Sequence, residues 1–172
     1  MLKIINTISQ LKFSKLMCVY SEGNLLNGSE RYPYLSQESQ IREVEQDFYN
    51  YLNEVFFRIE GAFYALWEVD GSYLAALRME PYRDGWLLCA LETALAVRRR
   101  GYATLLVSSV LKYLSQREEM KIYSHVSKRN LPSIATHAKC GFHIHSDCAV
   151  YLDGSVHHNC YTFVYDNKKS EA

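Results

Sequence analysis

Apolar residues recur at steps of three and four between residues 36 and 58, and this spacing predicts a long amphipathic helix. Its apolar stripe consists of Ile41, Val44, Phe48, Leu52, Val55 and Phe56. Ser36 is a favourable N-cap residue and predicts the start of the helix. Weaker patterns upstream predict an edge strand over residues 1–6 and a helix over 9–20. Two glycines and a proline predict a loop over 21–33.

The polar side of the 36–58 helix is acidic. It carries Glu38, Glu43, Glu45, Asp47 and Glu54. Two interpretations remain open at this point: a solvated helix face, or a face that in part meets a cationic amine.

Downstream, short apolar runs alternate with helical patterns. Residues 62–69 and 72–79 predict two strands joined at Asp70-Gly71, a dipeptide typical of tight hairpins. The nearly all-apolar run 86–93 predicts a strand buried on both faces. The remaining predicted elements are a helix over 103–117, a strand over 121–126, a helix over 130–140, a hairpin of 143–152 with 156–165 across Asp153-Gly154, and a frayed tail over 166–172. This order predicts one α/β domain over 1–172, with a mixed, mostly antiparallel central sheet flanked by helices on both faces.

A basic glycine turn connects the 86–93 strand to the next helix. Its sequence is Arg98-Arg99-Arg100-Gly101. The first amides of a helix have no intrahelical partners and lie at the positive end of the helix dipole, so this turn predicts a phosphate or pyrophosphate site. No Gly-Lys-Ser/Thr follows and only one glycine is present, which excludes a Walker loop and a dinucleotide fingerprint.

The charge balance supports one local anion site rather than a basic surface. The formal net charge is zero, yet residues 98–129 contain eight Lys or Arg and two acidic residues. We therefore expect no nucleic-acid partner, although the arginine run keeps that interpretation open as a minor alternative. No apolar run approaches the length that spans a bilayer, so no membrane partner is expected.

A second motif lies on the helix predicted over 130–140. Asn130, Ser133 and His137 are spaced so that one helix face presents an amide, a hydroxyl and an imidazole, and Gly141-Phe142 follows.

Together the two motifs resemble the GNAT N-acetyltransferase superfamily. The first matches its Arg/Gln-x-x-Gly-x-Gly/Ala signature at residues 98–103, and the second matches its Asn-x-x-Ala/Ser-x-x-x-Tyr-x-x-x-Gly-Phe pattern; the resemblance covers 61–164. It implies the acyl-CoA N-acyltransferase fold, acetyl-CoA as cofactor, a cofactor-binding core over 61–165, and acceptor-side helices within 1–60. It further implies cofactor-binding roles for Leu91, Thr93, Arg98, Arg99, Arg100, Gly101, Tyr102, Ala103, Thr104, Asn130 and Ser133.

The chain departs from the family pattern at two places. Many members carry Pro-Glu-Tyr where this chain has Leu95-Ala96-Val97. The family tyrosine that protonates the leaving thiolate is replaced by His137, whose ordinary pKa of ~6.5 would leave it without a ready proton above neutral pH. His137 is therefore predicted as the general acid, as a pocket-lining or packing residue without a proton-transfer role, or as a surface residue. Tyr102 and Tyr123 are possible substitutes for the general acid.

Glu92 is the only carboxylate in the central strand, and it is predicted as the general base that takes the proton of the amine. The alternative is an ion pair with a neighbouring arginine such as Arg98. His143, His145 and Asp147 share one strand face, but ordinary surface histidines are favoured there over a metal site. Five cysteines without a C-x-x-C pair predict a reducing compartment and a cytoplasmic protein.

The predicted function is direct transfer of an acetyl group from acetyl-CoA to a primary amine of a small-molecule or peptide acceptor. Because the family tyrosine is missing, an acyl-CoA-binding or regulatory module with little turnover is the alternative. The sequence identifies neither the acceptor nor the oligomeric state.

Overall fold

The computed structural model describes residues 1–116 and 120–166. Within them lie the helices α1 (Phe13–Arg31), α2 (Gln37–Glu54), α3 (Tyr102–Ser115) and α4 (Leu131–Lys139). The strands are β1 (Leu2–Ile5), β2 (Phe63–Val69), β3 (Ser72–Tyr82), β4 (Gly85–Thr93), β5 (Lys121–Ser127), β6 (His143–Ser146), β7 (Ala149–Val150), β8 (Val156–His157) and β9 (Cys160–Asp166). Short 3₁₀ turns cover Ile8–Gln10, Phe56–Arg58 and Leu95–Val97.

Seven strands form one twisted sheet in the order β1-β2-β3-β4-β5-β9-β6, and β7 pairs with β8 beside it. Every neighbouring pair in the sheet is antiparallel except β4 with β5. The predicted mixed, mostly antiparallel sheet is therefore confirmed.

The two faces of the sheet bury separate apolar cores. Along β3, Ala75, Leu77 and Met79 face the core that contains α3, while Ala76 faces the core that contains α1 and α2. This alternation follows from the two-residue period of a strand. Helices consequently cover both faces, as the sequence pattern predicted.

Local signals correctly located the β2–β3 hairpin and the 36–58 helix. Asp70 and Gly71 both have positive φ, 47° and 76°, and they join Val69 to its partner Ser72. The Ser36 hydroxyl accepts a hydrogen bond from the Ser39 amide and caps α2 as predicted. Helix α2 ends at Glu54, and a 3₁₀ turn follows within the rest of the predicted range.

The loop predicted over 21–33 was wrong, because α1 continues to Arg31. Gly28 is not a helix breaker here but a contact point between helices. A Cβ at this position would lie 3.0 Å from the Gln40 Cβ and 3.2 Å from its backbone. The side-chain amide of Gln40 donates hydrogen bonds to the carbonyls of Tyr32 and Leu35. These two backbone acceptors between the helices therefore have a partner.

The single C-terminal hairpin was also wrong. β6 pairs with β9, whereas β7 and β8 form a small separate hairpin whose turn contains Gly154. The Thr162 hydroxyl donates to the Cys148 carbonyl, and this hydrogen bond connects the residue before β7 to β9. Of the predicted tail 166–172, Asp166 is the last residue of β9 and the rest lies outside the described residues.

Candidate active site

The site starts where the parallel strands β4 and β5 separate. They pair only from Gly85 to Leu88, although β4 continues to Thr93. Ala90 has a φ of 51°, and the register of β4 against β3 shifts in this region. This is a bulge, which bends the strand and leaves backbone groups outside the ladder.

A turn with two left-handed residues leads from β4 into α3. Arg99 has a φ of 63° and Gly101 a φ of 85°. The Leu105 amide donates to the Gly101 carbonyl in the first turn of α3, and within the described part of the chain no side chain caps this helix. The amides of 102–104 are consequently available to an anion at the positive end of the helix dipole.

A cleft of about 670 Å³ lies between this turn, β4 and α4, and we call it the β4–α4 cleft. The structure brings most of the residues with predicted roles together on its walls: Leu91, Glu92, Thr93, Arg98, Arg99, Gly101, Tyr102, Ala103, Thr104, Asn130 and Ser133. The other lining residues are Glu22, Pro132 and Thr136. Arg100 is exposed and is not among the lining residues. Glu22 was missed because its segment was interpreted as a loop.

Arg98 links three elements around the cleft. Its guanidinium forms ion pairs with Glu22 of α1 at 2.6 Å and with Glu92 of β4 at 3.0 Å, and its Nε donates to the Thr93 carbonyl at 3.3 Å. The hydrogen bond that Arg98 donates to Glu22 and the charges of the two carboxylates raise the pKa of Arg98. Glu92 therefore forms the ion pair with Arg98 that the sequence analysis gave as the alternative to a general base. Glu92 also lies on the wall of the cleft.

Asn130 and Ser133 begin α4 at the cleft. The Asn130 side-chain oxygen accepts a hydrogen bond from the Ser133 amide at 3.1 Å, which is an N-cap interaction. This cap fixes the start of α4, whose first turn lines the cleft.

His137 lies in the interior, with 1 % of its surface exposed, and is not among the residues that line the cleft. Its Nδ1 is 2.8 Å from the Ser133 carbonyl, which can only accept, so Nδ1 carries the hydrogen. Its ring packs against Phe142 and Phe163 at 5.1 and 5.6 Å. Among the described residues Nε2 is buried without a partner, and burial lowers the pKa of His137 despite the bond to Ser133.

This burial makes stability depend on pH. Because the folded pKa of His137 is lowered, the unfolded chain binds a proton near its ordinary value of ~6.5 that the folded chain does not bind. We expect the free energy of unfolding to fall as the pH drops through that value. His137→Gln should flatten this dependence in urea unfolding at a series of pH values, whereas His158→Gln, at an exposed position, should not. His125, whose pKa burial also lowers, should contribute a slope that remains in the His137→Gln variant.

A second cavity, of about 440 Å³, lies between α1 and α2, and we call it the α1–α2 cavity. Its walls are Tyr20, Gly23, Asn24, Asn27, Arg31, Val44, Asp47, Phe48, Tyr51 and Ala90. Ala90 of this cavity is followed in the chain by Leu91 of the β4–α4 cleft. Consecutive residues at the bulge of β4 therefore line the two cavities.

Tyrosine hydroxyls fix α1 to that bulge. The Tyr64 hydroxyl donates to the Tyr20 hydroxyl at 2.9 Å, and Tyr20 donates to the Ala90 carbonyl at 2.7 Å. Burial raises the pKa of Tyr20 well above its ordinary value. Sequence reasoning missed Tyr20, since only the fold brings α1 to β4.

Asp47, from the acidic face of α2, lines the α1–α2 cavity. Arg31 forms an ion pair with it at 2.7 Å, and the Tyr32 hydroxyl donates to it at 2.6 Å. Its charge is therefore already compensated.

Tyr123 and Asp147, which the sequence analysis also considered, line neither of the two cavities. Tyr123 donates to Asp84 at 2.6 Å, and Asp147 forms an ion pair with Lys128 at 2.9 Å. In residues 1–116 and 120–166, no group of three or more His, Cys, Asp or Glu side chains is arranged to hold a metal ion. No helix in those ranges is both long enough and apolar enough to cross a membrane.

The model of the Acetyltransferase (GNAT) family matches residues 26–142. The chain belongs to the GNAT acetyltransferase family. A comparison with curated protein sequences finds no match.

Solved structures of acetyltransferases share the fold at low identity. Aminoglycoside 6'-acetyltransferase type Ii is 15% identical over 96% of both chains, with a TM-score of 0.63. The PaiA N-acetyltransferase from Thermoplasma acidophilum, in complex with coenzyme A, is 14% identical over 96% of this chain and 99% of its own, with a TM-score of 0.63. The ribosomal-protein-S18-alanine N-acetyltransferase from Escherichia coli is 15% identical over 96% and 94%, with a TM-score of 0.59.

Membership of the GNAT family makes the chain an acyltransferase that uses acetyl-CoA. The uncapped α3 amides and the arginine-rich turn fit the diphosphate of this cofactor. Members of the family act on amine acceptors, both small molecules and proteins.

Proposed function

We propose that this GNAT acetyltransferase transfers an acetyl group directly from acetyl-CoA to a primary amine held in the α1–α2 cavity. One observation carries the proposal: Ala90, in the bulge of β4, lines the α1–α2 cavity, and the next residue, Leu91, lines the β4–α4 cleft. Two substrates bound on either side of this bulge would have their reacting groups next to each other, which removes most of the entropic cost of bringing them together.

The residues of the β4–α4 cleft have separate binding roles in this proposal. The amides of 101–104 hold the diphosphate, the backbone of 91–93 binds the pantetheine arm, and Asn130 and Ser133 flank it. Bound acetyl-CoA supplies an acetyl thioester, which is the acyl donor. Two of the similar solved structures have names that give an aminoglycoside or a ribosomal-protein alanine as acceptor. At 15% identity they support the fold alone, so the acceptor has to be inferred from this chain.

Glu92 is proposed as the base that receives the proton of the ammonium. Its position on the wall of the cleft, two residues from Ala90, supports this role. Tyr20 is the nearest proposed contact of the amine on the other side, because its hydroxyl is bonded to Ala90.

The interior position of His137 supports a packing role rather than proton donation to the thiolate. Its neutral form has no hydrogen on Nε2, and burial disfavours the imidazolium. The same observation favours the second candidate function, an acyl-CoA-binding module with little turnover.

Thiol release with a panel of amines, together with calorimetric titration of acetyl-CoA, separates the two candidates. Direct transfer predicts binding and amine-dependent release of coenzyme A by wild type and by His137→Phe. Binding without release by any variant, His137→Tyr included, would favour the binding module.

For the base, we expect Glu92→Gln to lower kcat about a hundredfold, as the loss of general base catalysis typically does. Glu92→Gln also breaks an ion pair of Arg98, so Glu22→Gln, which breaks the other one, is the matched control. The loss in kcat should be at least about tenfold larger for Glu92→Gln, while acetyl-CoA affinity changes alike in both. Equal losses in kcat would show that the effect comes from breaking an ion pair of Arg98 and not from losing a general base.

A further inference from the structure

The α1–α2 cavity has apolar and aromatic walls. Its wall on α2 contains Val44, Phe48 and Tyr51, and on α1 the ring of Tyr20 lies edge-on to Phe48 with 5.6 Å between the ring centroids. The guanidinium of Arg78, on β3, lies 5.1 Å from the centre of the Tyr51 ring in a cation–π contact. Aromatic rings around a volume of about 440 Å³ favour a broad apolar group as the occupant.

The charged side chains of this cavity compensate each other. Among the described residues that line it, Arg31 and Asp47 are charged, and they form an ion pair at 2.7 Å. The Tyr32 hydroxyl donates to the same carboxylate oxygen of Asp47 at 2.6 Å. An ammonium group beside Asp47 would therefore also meet the positive charge of Arg31, and it would lose water without gaining a free carboxylate. The walls thus favour an acceptor whose only positive charge is that of the reacting amine.

Gly23 lies in the middle of α1, where glycine is less favourable than alanine. Packing does not require a glycine here, because a Cβ at this position meets nothing within 4 Å, in contrast to Gly28. Gly23 lines the α1–α2 cavity, and the other residues of α1 that line it follow the same three- and four-residue steps: Tyr20, Asn24, Asn27 and Arg31. They share one helix face, so a side chain at Gly23 would extend into the space that this face borders.

We propose that the acceptor is a monoamine with a broad apolar body, such as an arylalkylamine, and that Gly23 determines the size of the body that fits. This inference rests on the proposed function, because it assigns the acceptor class of the same cavity. The apolar body lies among the aromatic rings, and the amine points to Ala90 in the bulge of β4, which precedes the first cleft residue of that strand. A diamine, or an amine that carries a carboxylate, has a second charge that no unpaired charged side chain of the described cavity wall matches.

Two pairs of amines test the acceptor class through the rate of coenzyme A release at saturating acetyl-CoA. 2-Phenylethylamine and ethylamine differ in the apolar body, and we expect kcat/KM to be at least about tenfold higher for 2-phenylethylamine, because its ring leaves water on binding. Pentylamine and 1,5-diaminopentane differ in the second ammonium, and kcat/KM should be at least about tenfold lower for the diamine.

Variants of Gly23 test where the apolar body lies. Gly23→Leu should fill part of the cavity and lower the ratio of kcat/KM for 2-phenylethylamine over ethylamine by about tenfold, because the larger body loses its space and the smaller one does not. Gly23→Ala should change this ratio in the same direction and by less. Ser29→Leu, at an exposed position of α1 that lines neither cavity, is the matched control and should keep the wild-type ratio. Should Gly23→Leu not fold, Gly23→Ala and the two wild-type comparisons decide.

Binding of the reaction products, which requires no turnover, distinguishes failure of this inference from failure of the proposed function. N-(2-phenylethyl)acetamide should bind the full chain with coenzyme A present more tightly than N-ethylacetamide in calorimetric titration, and Gly23→Leu should reduce the difference. If amines are acetylated but the smaller amine or the diamine is used as well as its partner, the acceptor class alone is wrong. The same conclusion follows if Gly23→Leu leaves the ratio of the two amines unchanged.

If no amine releases coenzyme A but the phenylethyl product binds more tightly and Gly23→Leu weakens it, direct transfer is wrong and the apolar acceptor site remains. If no amine is acetylated and the two products bind alike, both the acceptor class and direct transfer are overturned.

Discussion

Gly101→Glu should weaken acetyl-CoA binding about a thousandfold and leave the fold intact. A Cβ at Gly101 meets nothing within 4 Å, so the side chain fits, but its carboxylate would lie at the α3 amides. Hydrogen bonds to a charged group contribute about 1.5–3 kcal/mol each, and losing two costs about 4 kcal/mol, which is about a thousandfold in affinity. Titration calorimetry measures the affinity, and thermal unfolding checks the fold.

Gly154→Glu is a close control for this substitution. Gly154 has a φ of 84°, compared with 85° for Gly101, and a Cβ there also meets nothing within 4 Å. Both variants therefore incur the left-handed backbone strain of about 1–2 kcal/mol, but Gly154 lies in the β7–β8 turn, away from the cleft. If both variants bound acetyl-CoA like wild type, the diphosphate site would not be at α3.

Gly85→Ala should destabilise the fold by about 3 kcal/mol, near the upper end of what overpacking typically costs. A Cβ at Gly85 would lie 2.0 Å from the Lys121 carbonyl oxygen and 2.9 Å from its carbonyl carbon. Both atoms belong to the backbone of β5, so no side-chain rotation relieves the overlap. Gly85 and Lys121 are the first pair of the short parallel ladder, and the cleft opens at the other end of that ladder.

Urea unfolding of wild type and Gly85→Ala measures this effect. Gly23→Ala on α1 is the opposite case, because a Cβ there meets nothing within 4 Å and alanine is the better helix former. We expect it to stabilise the chain by up to about 1 kcal/mol. Equal stability of Gly85→Ala and wild type would mean that β4 and β5 are not in contact at Gly85.

Local patterns were sufficient to predict the elements whose signals lie within a few residues. The stripe along α2, the Asp70-Gly71 turn and the Gly101 turn each depend on neighbouring positions, and each lies where it was predicted. The family resemblance named residues on both β4 and α4, because both motifs occupy contiguous stretches, and the structure places most of those residues on the walls of one cleft.

What the sequence did not reveal depends on contacts between distant residues. Gly28 has the local signal of a breaker, and only its packing against Gln40 makes it part of a helix. Arg78 and Tyr20 lie far apart in the chain and meet through the packing of α1 on the sheet. His137 has the spacing of a cleft residue, yet its ring turns inward against Phe142 and Phe163.

The segment that the family model matches, residues 26–142, leaves out parts of the core and of the sheet. It divides α1 between Leu25 and Leu26 and would discard Leu16, Met17 and Val19, which are buried against the sheet. It also ends before β9, which pairs with β5 along seven residues. A polypeptide trimmed to those limits would expose part of one face of the sheet and an edge of β5, so we expect a stable minimal version of the enzyme to need the chain from β1 through β9.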